Sequence, residues 1–329
     1  MVSEFGTSSK SGKIVSIITE SVRKGEISKG QAIPSINAAA DKFNVARKTV
    51  IRAYNVLIGQ GLIESRPKKG YYVVNRQPDI KLRVLLIVHS FNPYIELLYN
   101  EFRELVKDEC EVEIFFHHYN IKVLELILNR GSSDYDLFMI SSFDHPRIPN
   151  IIGRIPAGKI LIVSRDDRIE GRYNSIIQGF LEGTYQSLLS IHDKIRKYKK
   201  LHLSFLDKSG HPEDLKTGFL QYCNDYSIPH NVEGSLKDVE IHKGDAYLVI
   251  DDSDLIKLLK TCKIRDWYPG RDIGVISFNE TFFKEVIRDG ISVISCSFKL
   301  MAEEMAEFIK KRKAVQKVIP IKFIKRNSM

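Results

Sequence analysis

The chain contains no long apolar run and few cysteines. None of its 329 residues lies in a stretch of 18 consecutive apolar residues, so we expect no membrane-spanning helix. Its four cysteines (Cys110, Cys223, Cys262 and Cys296) are far apart and form no CxxC pair, which argues against a disulfide framework. The first ten residues are polar and lack the apolar core of a secretory signal. These absences together predict a cytoplasmic protein with no membrane partner.

Motifs of catalysis and metal binding are also missing. His117 and His118 have no Asp, Glu or Cys at ligand spacing, so we expect no metal site there. The segment from Gly153 to Lys159 resembles a phosphate-binding P-loop, but Ile160 follows the lysine where Ser or Thr is required to hold magnesium. GxGxxG, HExxH and GxSxG do not occur. We therefore expect no enzyme, no cofactor and no metal.

Positive charge is concentrated at one end of the chain. The net charge is +9, and residues 1–80 hold 13 Lys or Arg against 6 Asp or Glu. The other 249 residues hold 37 against 35 and are nearly neutral. A compact basic module beside a neutral one suggests a head that binds a polyanion, with nucleic acid as the first candidate. The alternative is a small domain whose charges are only solvated.

The basic region has the pattern of three helices followed by a hairpin. Apolar residues recur at helical spacing, and Ser35 is a good N-cap for the second helix. The predicted helices cover 11–24, 35–43 and 46–60, with a turn at 30–34, and the predicted strands cover 62–65 and 71–74. This order predicts a winged helix-turn-helix, whose third helix packs on its neighbours through Val50, Ala53, Tyr54 and Leu57 and enters the major groove of DNA. We expect contacts from the start of that helix and from the hairpin tip: Arg47, Lys48, Thr49, Arg52, Lys68, Lys69 and Gly70.

Four segments of this region resemble the head of GntR-type repressors. They are Ile33–Ser35, Val45–Val50, Gly61–Ile63 and Gly70–Val73, and the similarity covers roughly residues 12–74. The resemblance implies operator binding and adds Ser35 and Asn37 to the candidate DNA contacts, since asparagine can pair with adenine.

The chain also departs from the GntR pattern. Ile36-Asn37 replaces the usual Glu-Arg, Ile51 replaces a common arginine, and Lys68 replaces the first glycine of the wing. The operator is therefore expected to differ from the commonest one of the family.

After a polar linker at 75–80, the pattern changes to alternating strands and helices. Continuous apolar runs predict buried parallel strands at 84–88, 112–116, 137–140, 160–163, 201–205, 247–250, 273–277 and 292–295. Amphipathic helices are predicted at 94–108, 121–130, 175–190, 212–226, 253–262, 280–289 and 299–312. So many strands predict two α/β lobes around a cleft, with the ligand beyond the carboxyl ends of the strands.

Three segments of the body resemble the periplasmic-binding-protein-like effector domain of LacI-type repressors. They are Val84–Val88 with Asn92–Tyr94, Ile160–Arg165 and Arg271–Asn279, and the similarity spans about 81–310. The resemblance implies an α+β winged helix-turn-helix head joined to an α/β two-lobed domain with parallel sheets, similar in build to arabinose-type repressors. Its domains are a tail at 1–11, the head at 12–74, the linker and the body at 81–329.

A sugar site needs aromatic platforms and bidentate polar side chains near strand ends. The candidates that fit are Phe91, Asn92, Tyr94, Asp144, Arg165, Asp251 and Asn279. The LacI-type resemblance implies sugar contacts for all of them except Phe91 and Asp144.

Four of these candidates have structural alternatives. Asp251 and Asp252 could instead cap the helix that follows, and Arg165 could pair with Asp166 or Asp167. Tyr94 and Phe91 could fill the core.

The two resemblances together predict a transcriptional regulator of carbohydrate-utilisation genes. Its expected partners are double-stranded operator DNA, a small sugar effector such as arabinose or fucose, and a second copy of the chain in a homodimer. We expect a repressor released by its inducer. The alternatives are a nucleoside or another polar metabolite as the effector, and a stand-alone sugar-binding protein.

Overall fold

The structure, a computed structural model, describes residues 9–23, 25–67, 69–74, 81–131, 134–165, 169, 171–206, 212–311 and 313–329. Lys68, the predicted linker at 75–80 and most of the predicted tail lie outside this set. The chain divides into two compact units, Met1–Val84 with Leu126–Leu137, and Leu85–Glu125 with Phe138–Met329. In the described ranges, every helix is too short or too polar to cross a membrane.

The head is a three-helix domain with a small antiparallel sheet. Its elements are α1 (Lys10–Arg23), β1 (Ala32–Ile33), α2 (Ile36–Phe43), α3 (Arg47–Gly59), β2 (Ile63–Arg66) and β3 (Gly70–Val73). The predicted three helices and hairpin are confirmed. Strand β1 was predicted as part of a turn, but it pairs with β3 through Ala32 and Tyr72. A strand of two residues is too short to show an alternating pattern in the sequence, so only its pairing with a distant strand defines it.

The ends of α2 and a buried tyrosine hold the head helices together. Ser35 Oγ accepts a hydrogen bond from the amide of Ala38 at 3.3 Å, and Asn44, with φ of 48°, ends the helix. The hydroxyl of Tyr54, on α3, donates to the carbonyl of Pro34 at 2.6 Å. Burial raises the pKa of Tyr54 to about 12, so this donor stays protonated at neutral pH.

The body contains strands and helices in alternation. Its strands are β4 (Leu82–Val88), β5 (Cys110–Phe116), β6 (Leu137–Ile140), β7 (Ile160–Ser164), β8 (Asn174–Gln178), β9 (Leu201–Ser204), β10 (His230–Glu233), β11 (Ala246–Val249), β12 (Gly274–Phe278), β13 (Ser292–Cys296), β14 (Gln316–Ile319) and β15 (Ile321–Ile324). Its helices are α4 (Pro93–Leu105), α5 (Ile121–Gly131), α6 (Ile148–Ile152), α7 (Phe180–Leu189), α8 (His192–Ile195), α9 (Glu213–Asp225), α10 (Asp252–Arg265), α11 (Phe282–Val286) and α12 (Phe298–Lys311).

These strands form two six-stranded sheets, one for each lobe. The first has the order β14-β8-β7-β6-β4-β5 and the second the order β10-β9-β11-β12-β13-β15. Neighbouring strands run parallel from β14 to β6 in the first sheet and from β10 to β13 in the second, as predicted, and β15 is antiparallel to β13. The chain enters the second lobe after β8, returns for α12, which packs on α4, and crosses again between β14 and β15. These crossings connect the two lobes of the body.

The predicted helix at 175–190 is wrong in its first part. Residues 174–178 form strand β8, which pairs with both β7 and β14, and α7 begins only after Gly179. The apolar residues Ile176 and Ile177 fit either a helix or a strand, and the sheet position decides between them. The helix expected at 280–289 is shorter than predicted, because α11 ends at Val286 and Arg288 has left-handed backbone (φ 51°).

Besides β1 and β8, three strands were not predicted, namely β10, β14 and β15. Each lies at the edge of its sheet, so part of its surface faces solvent and its sequence lacks the continuous apolar run of a central strand.

Helices α7 and α9 of the second lobe approach each other very closely. A Cβ placed on Gly218 of α9 would lie 2.4 Å from the carbonyl oxygen of Leu181 on α7. The absence of a side chain at Gly218 therefore permits the contact, and backbone atoms cannot move aside as a flexible side chain can.

We expect Gly218→Ala to lower the free energy of unfolding by about 1–3 kcal/mol, because it overpacks this contact. Thr217→Ala on the same helix should change it by less than about 0.5 kcal/mol, because Thr217 is exposed. Urea titration measures the free energy of unfolding of both variants. The signal is the fluorescence of Trp267, which is the single tryptophan and lies in the second lobe. Equal midpoints for the two variants would contradict the prediction.

Candidate functional site

Helix α3 divides into a buried and an exposed face. Val50, Ala53, Tyr54 and Leu57 are buried in the head core, as the sequence predicted. Arg47, Lys48 and Arg52 are exposed, and Thr49 is half-buried. The cations at the start of this helix are therefore free to meet a polyanion, while the opposite side is fully packed.

The other predicted DNA contacts lie at the start of α2 and on the wing. Asn37 is exposed, while the Ser35 hydroxyl is already engaged as the cap of α2. Lys69 is exposed at the hairpin turn, and Gly70 has φ of 102°, a conformation that favours glycine. Lys68 lies outside the described residues.

The body contains a cavity of about 360 Å³ between its lobes. It lies beyond the carboxyl ends of strands β4, β7, β8, β11 and β12, where ligands of open α/β sheets bind. Small-molecule sites commonly span about 300–1,000 Å³, so this cavity fits a small ligand. Its polar and aromatic lining includes His89, Asn92, Tyr94, Tyr119, Ser164, Arg165, Gln178, Asp251, Asp252, Asn279, Thr281 and Lys284.

Three side chains form a hydrogen-bonded group at the end of β4. The Tyr94 hydroxyl and the Asn92 amide nitrogen approach His89 Nε2 at 3.3 and 3.4 Å. Asn92 Oδ1 also accepts from the amide of Ile95 at 3.0 Å, which caps α4. The Tyr94 ring stacks on the Phe298 ring, with centroids 5.1 Å apart. Burial raises the pKa of Tyr94, so its hydroxyl remains neutral. Asn92 and Tyr94 thus have structural roles and still line the cavity.

A buried histidine supports the aromatic wall of the cavity. His117 Nε2 donates to the carbonyl of Ser141 at 3.0 Å, and Nδ1 accepts from the amide of Tyr119 at 3.0 Å. The Tyr119 ring stacks on His89, with centroids 5.3 Å apart. Burial lowers the pKa of His117 to about 4, so the neutral ring makes both bonds at pH 7.

Ser164 and Gln178 form the next part of the lining. Ser164 ends β7 with φ of 67°, and its Oγ accepts from Gln178 Nε2 at 2.8 Å. This bond orients the Gln178 amide, whose Oε1 is buried and has no hydrogen-bond partner in the described ranges. Arg165 follows Ser164 and is also buried in the lining. Its suggested partners Asp166 and Asp167 lie outside the described residues.

The second lobe contributes a buried lysine and two strand ends. Lys284 Nζ donates to the carbonyls of Phe278 and Asn279, both at 2.9 Å, and lies 3.0 Å from Asp252 Oδ1. Burial lowers the pKa of Lys284, and Asp252 opposes that shift. Asn279 has φ of 60°, and its buried Oδ1 has no hydrogen-bond partner in the described part of the chain. Asp251 occupies the N-cap position of α10, but its side chain makes no capping hydrogen bond.

The structure thus places five of the predicted effector residues together: Asn92, Tyr94, Arg165, Asp251 and Asn279. Phe91 and Asp144 do not line the cavity. Phe91 is 62% exposed, and its ring packs edge-on against Phe116. Asp144 is exposed because β6 ends at Ile140 and three buried residues separate the two.

Seven of these polar and aromatic lining residues were not predicted as effector contacts: His89, Tyr119, Ser164, Gln178, Asp252, Thr281 and Lys284. His89 directly follows the first strand of the body, and this position could have predicted it as a lining residue. Gln178 was missed because its strand was predicted as a helix. Tyr119 and Lys284 reach the cavity from a turn and a short helix, so no strand-end rule identifies them.

Within the described residues, no group of three or more His, Cys, Asp or Glu side chains is arranged to hold a metal ion. The His117 nitrogens are both used in the hydrogen bonds described above.

Residues 10–73 match the family model described as "Bacterial regulatory proteins, gntR family". The uncharacterized HTH-type transcriptional regulator YurK of Bacillus subtilis is 32% identical over 80 residues, which are 24% of this chain and 32% of that protein. This chain spans a third or less of the length of the curated relatives that it matches. The N-terminal domain is a GntR-type winged helix-turn-helix.

Solved structures of LacI-type regulators share the fold of the body. One is a LacI family transcriptional regulator from Lactobacillus casei with bound glucose, with TM-score 0.62, 17% identity, and coverage of 75% of this chain and 100% of that chain. Another is the dimeric Lac repressor, with TM-score 0.65, 13% identity and coverage of 75% and 98%. The body therefore has the LacI-like, periplasmic-binding-protein-like fold.

We expect acid to destabilise the body through His117. Its folded pKa of about 4 lies below the usual 6.5, so the stabilisation is complete above pH 6.5 and is lost as the pH falls toward 4. The loss between pH 7 and pH 5 should be about 2 kcal/mol.

Urea titrations of wild type, His117→Asn and His118→Asn at both pH values measure this effect. The exposed His118 serves as the control, and its replacement should change the pH dependence less than the replacement of the buried His117 does. His117→Asn should flatten it, and an unchanged slope in that variant would contradict the assignment.

Proposed function

We propose that this protein is a cytoplasmic transcriptional regulator of carbohydrate-utilisation genes. Its head binds operator DNA, and a small sugar in the cavity between the lobes controls that binding. The head carries the exposed cations of α3 and the wing, and its match to the gntR family model supports DNA as the partner. A head of this size contacts one half-site, so we also propose a homodimer on paired half-sites.

Two buried amide oxygens, one on each lobe, are the main support for a sugar as the ligand. Gln178 lies in the first lobe and Asn279 in the second, and both residues line the cavity. Gln178 Oε1 and Asn279 Oδ1 are buried and have no hydrogen-bond partner in the described ranges. A buried acceptor without a partner costs free energy, so the cavity favours a ligand that donates hydrogen bonds to both lobes. Hydroxyl groups in fixed directions meet that requirement.

The charge and size of the cavity favour a small neutral ligand. The charged lining residues are Arg165, Lys284, Asp251 and Asp252, two of each sign, and Lys284 pairs with Asp252. An anion or a cation would leave this balance uncompensated. The volume of about 360 Å³ is near the lower end for ligand sites, which favours a monosaccharide over a larger saccharide.

Binding of the sugar is coupled to DNA through closure of the lobes. A ligand that bonds to Gln178 and Asn279 together stabilises the closed form, and hinge closure of this kind changes how paired bodies meet. The coupling cannot exceed the difference in ligand affinity between the two forms, typically about 1–3 kcal/mol. We propose that closure releases the operator, so that the protein is a repressor relieved by its inducer.

A thermal-shift screen tests the effector class. Arabinose and fucose are the first probes, followed by other monosaccharides, nucleosides and organic acids. A ligand at 100 times its Kd should stabilise the body by about 2.7 kcal/mol. A shift with a nucleoside and with none of the sugars would assign the alternative effector class.

Arg47→Ala should weaken operator binding by about 1–3 kcal/mol if Arg47 contacts guanine. Lys69→Ala should instead weaken binding to every sequence and lower the slope of log K against log salt by about one. Fluorescence anisotropy with operator and with random DNA separates the two effects. Specific and non-specific binding that are both unchanged in Arg47→Ala would show that α3 is not the recognition helix.

Arg165→Ala and Asp251→Ala should each abolish the sugar response and leave operator binding without sugar intact, because both side chains line the cavity. Asp144→Asn is the control, since Asp144 follows a strand of the same sheet as Arg165 but lies outside the cavity lining. The measurement is anisotropy of labelled operator with increasing sugar. If both cavity variants respond as wild type does, the effector binds elsewhere.

A further inference from the structure

Helix α3 carries an exposed apolar side chain among its cations. Ile51 is 41% exposed and lies one helical turn after Arg47 and one turn before Asn55, and both of these are exposed. Residues four apart lie on the same face of a helix, so Ile51 is in the middle of the polar face that is proposed to meet DNA. The core of the head does not use this side chain, since Val50, Ala53, Tyr54 and Leu57 fill it.

The major groove of DNA offers a single apolar feature at its base edges, the C5-methyl group of thymine. The other base-edge groups and the phosphates are polar and would gain nothing from an isoleucine. Because Ile51 lies in the second turn of α3, it is within the part of a recognition helix that contacts base edges. Arg47 and Lys48, one turn earlier, would hold the backbone or an adjacent guanine.

We propose that Ile51 is a specificity-determining residue that packs against a thymine methyl group in each operator half-site. This assignment rests on the proposed DNA-binding function of the head. It gives the operator a feature that the cations cannot supply, because an arginine at position 51 would select hydrogen-bond acceptors instead of a methyl group.

The same helix provides a matched control. Ile58 has the same side chain and is 38% exposed, and it lies seven residues after Ile51 on nearly the same face. It is in the last turn of α3, beyond the residues that reach base edges. Ile51→Ala and Ile58→Ala therefore remove the same atoms from an exposed position on one helix, and only the first should alter base recognition.

The test begins with selection of binding sites from random duplex DNA by the full-length protein. Each thymine of the selected site is then replaced, in both half-sites, by deoxyuridine, which lacks only the methyl group. Affinities are measured by anisotropy for wild type, Ile51→Ala, Ile51→Val and Ile58→Ala. Circular dichroism of each variant verifies that the head is folded.

We expect one thymine per half-site whose replacement weakens wild-type binding about 3–5-fold for each methyl group, the effect of losing one buried methyl contact. Ile51→Ala should bind the thymine and deoxyuridine sites within twofold of each other. Ile51→Val and Ile58→Ala should retain the sensitivity. Selection with Ile51→Arg should replace thymine by guanine at this position, since arginine pairs with guanine acceptors.

Two results would overturn the assignment while leaving the DNA-binding function in place: a wild type insensitive to deoxyuridine at every thymine, or a sensitivity that persists in Ile51→Ala. Enrichment of no sequence at all would instead refute sequence-specific DNA binding, and the role of Ile51 with it.

Discussion

The backbone groups at the carboxyl ends of the parallel strands must be hydrogen-bonded, and this constraint organises the body. In the second lobe the buried ammonium of Lys284 satisfies this constraint at the end of β12, because it donates hydrogen bonds to the carbonyls of Phe278 and Asn279. The same ammonium pairs with Asp252 at the start of α10. One side chain thus connects a strand end, a left-handed residue and a helix start, and removing it would leave polar groups buried without partners.

In the first lobe, neutral side chains make the hydrogen bonds near the strand ends. His117 binds the carbonyl of Ser141 and the amide of Tyr119, and Gln178 binds the hydroxyl of Ser164. Ser164 and Asn279 both adopt left-handed backbone directly at strand ends, one in each lobe. Such residues are unfavourable for side chains other than glycine, and they persist where surrounding bonds enforce them. They end the strands so that polar side chains reach the cavity from both lobes, which is the arrangement that a bridging ligand requires.

The head follows a different constraint, the division of one helix between core and surface. Tyr54 is buried by packing and by its bond to Pro34, and this fixes which side of α3 faces outward. Arg47, Lys48, Ile51 and Arg52 are exposed as a consequence of that rotation. The side that carries the charge is therefore determined by where the apolar residues lie.

Local pattern in the sequence was sufficient to predict the three helices and hairpin of the head, the buried face of α3, and the central strands of both sheets other than β8. Helical spacing, N-caps and continuous apolar runs act over short distances, and the predicted Val50, Ala53, Tyr54 and Leu57 accordingly lie in the core. It was also sufficient to bring Asn92, Arg165, Asp251 and Asn279 to one cavity, because parallel strands end at a common edge. The edge strands β10, β14 and β15, the strand identity of residues 174–178, and the roles of Gln178 and Lys284 depended on pairing between distant segments. A hydrogen bond to a neighbouring strand or to a buried carbonyl leaves no periodic trace along the chain, so only the tertiary structure could decide them.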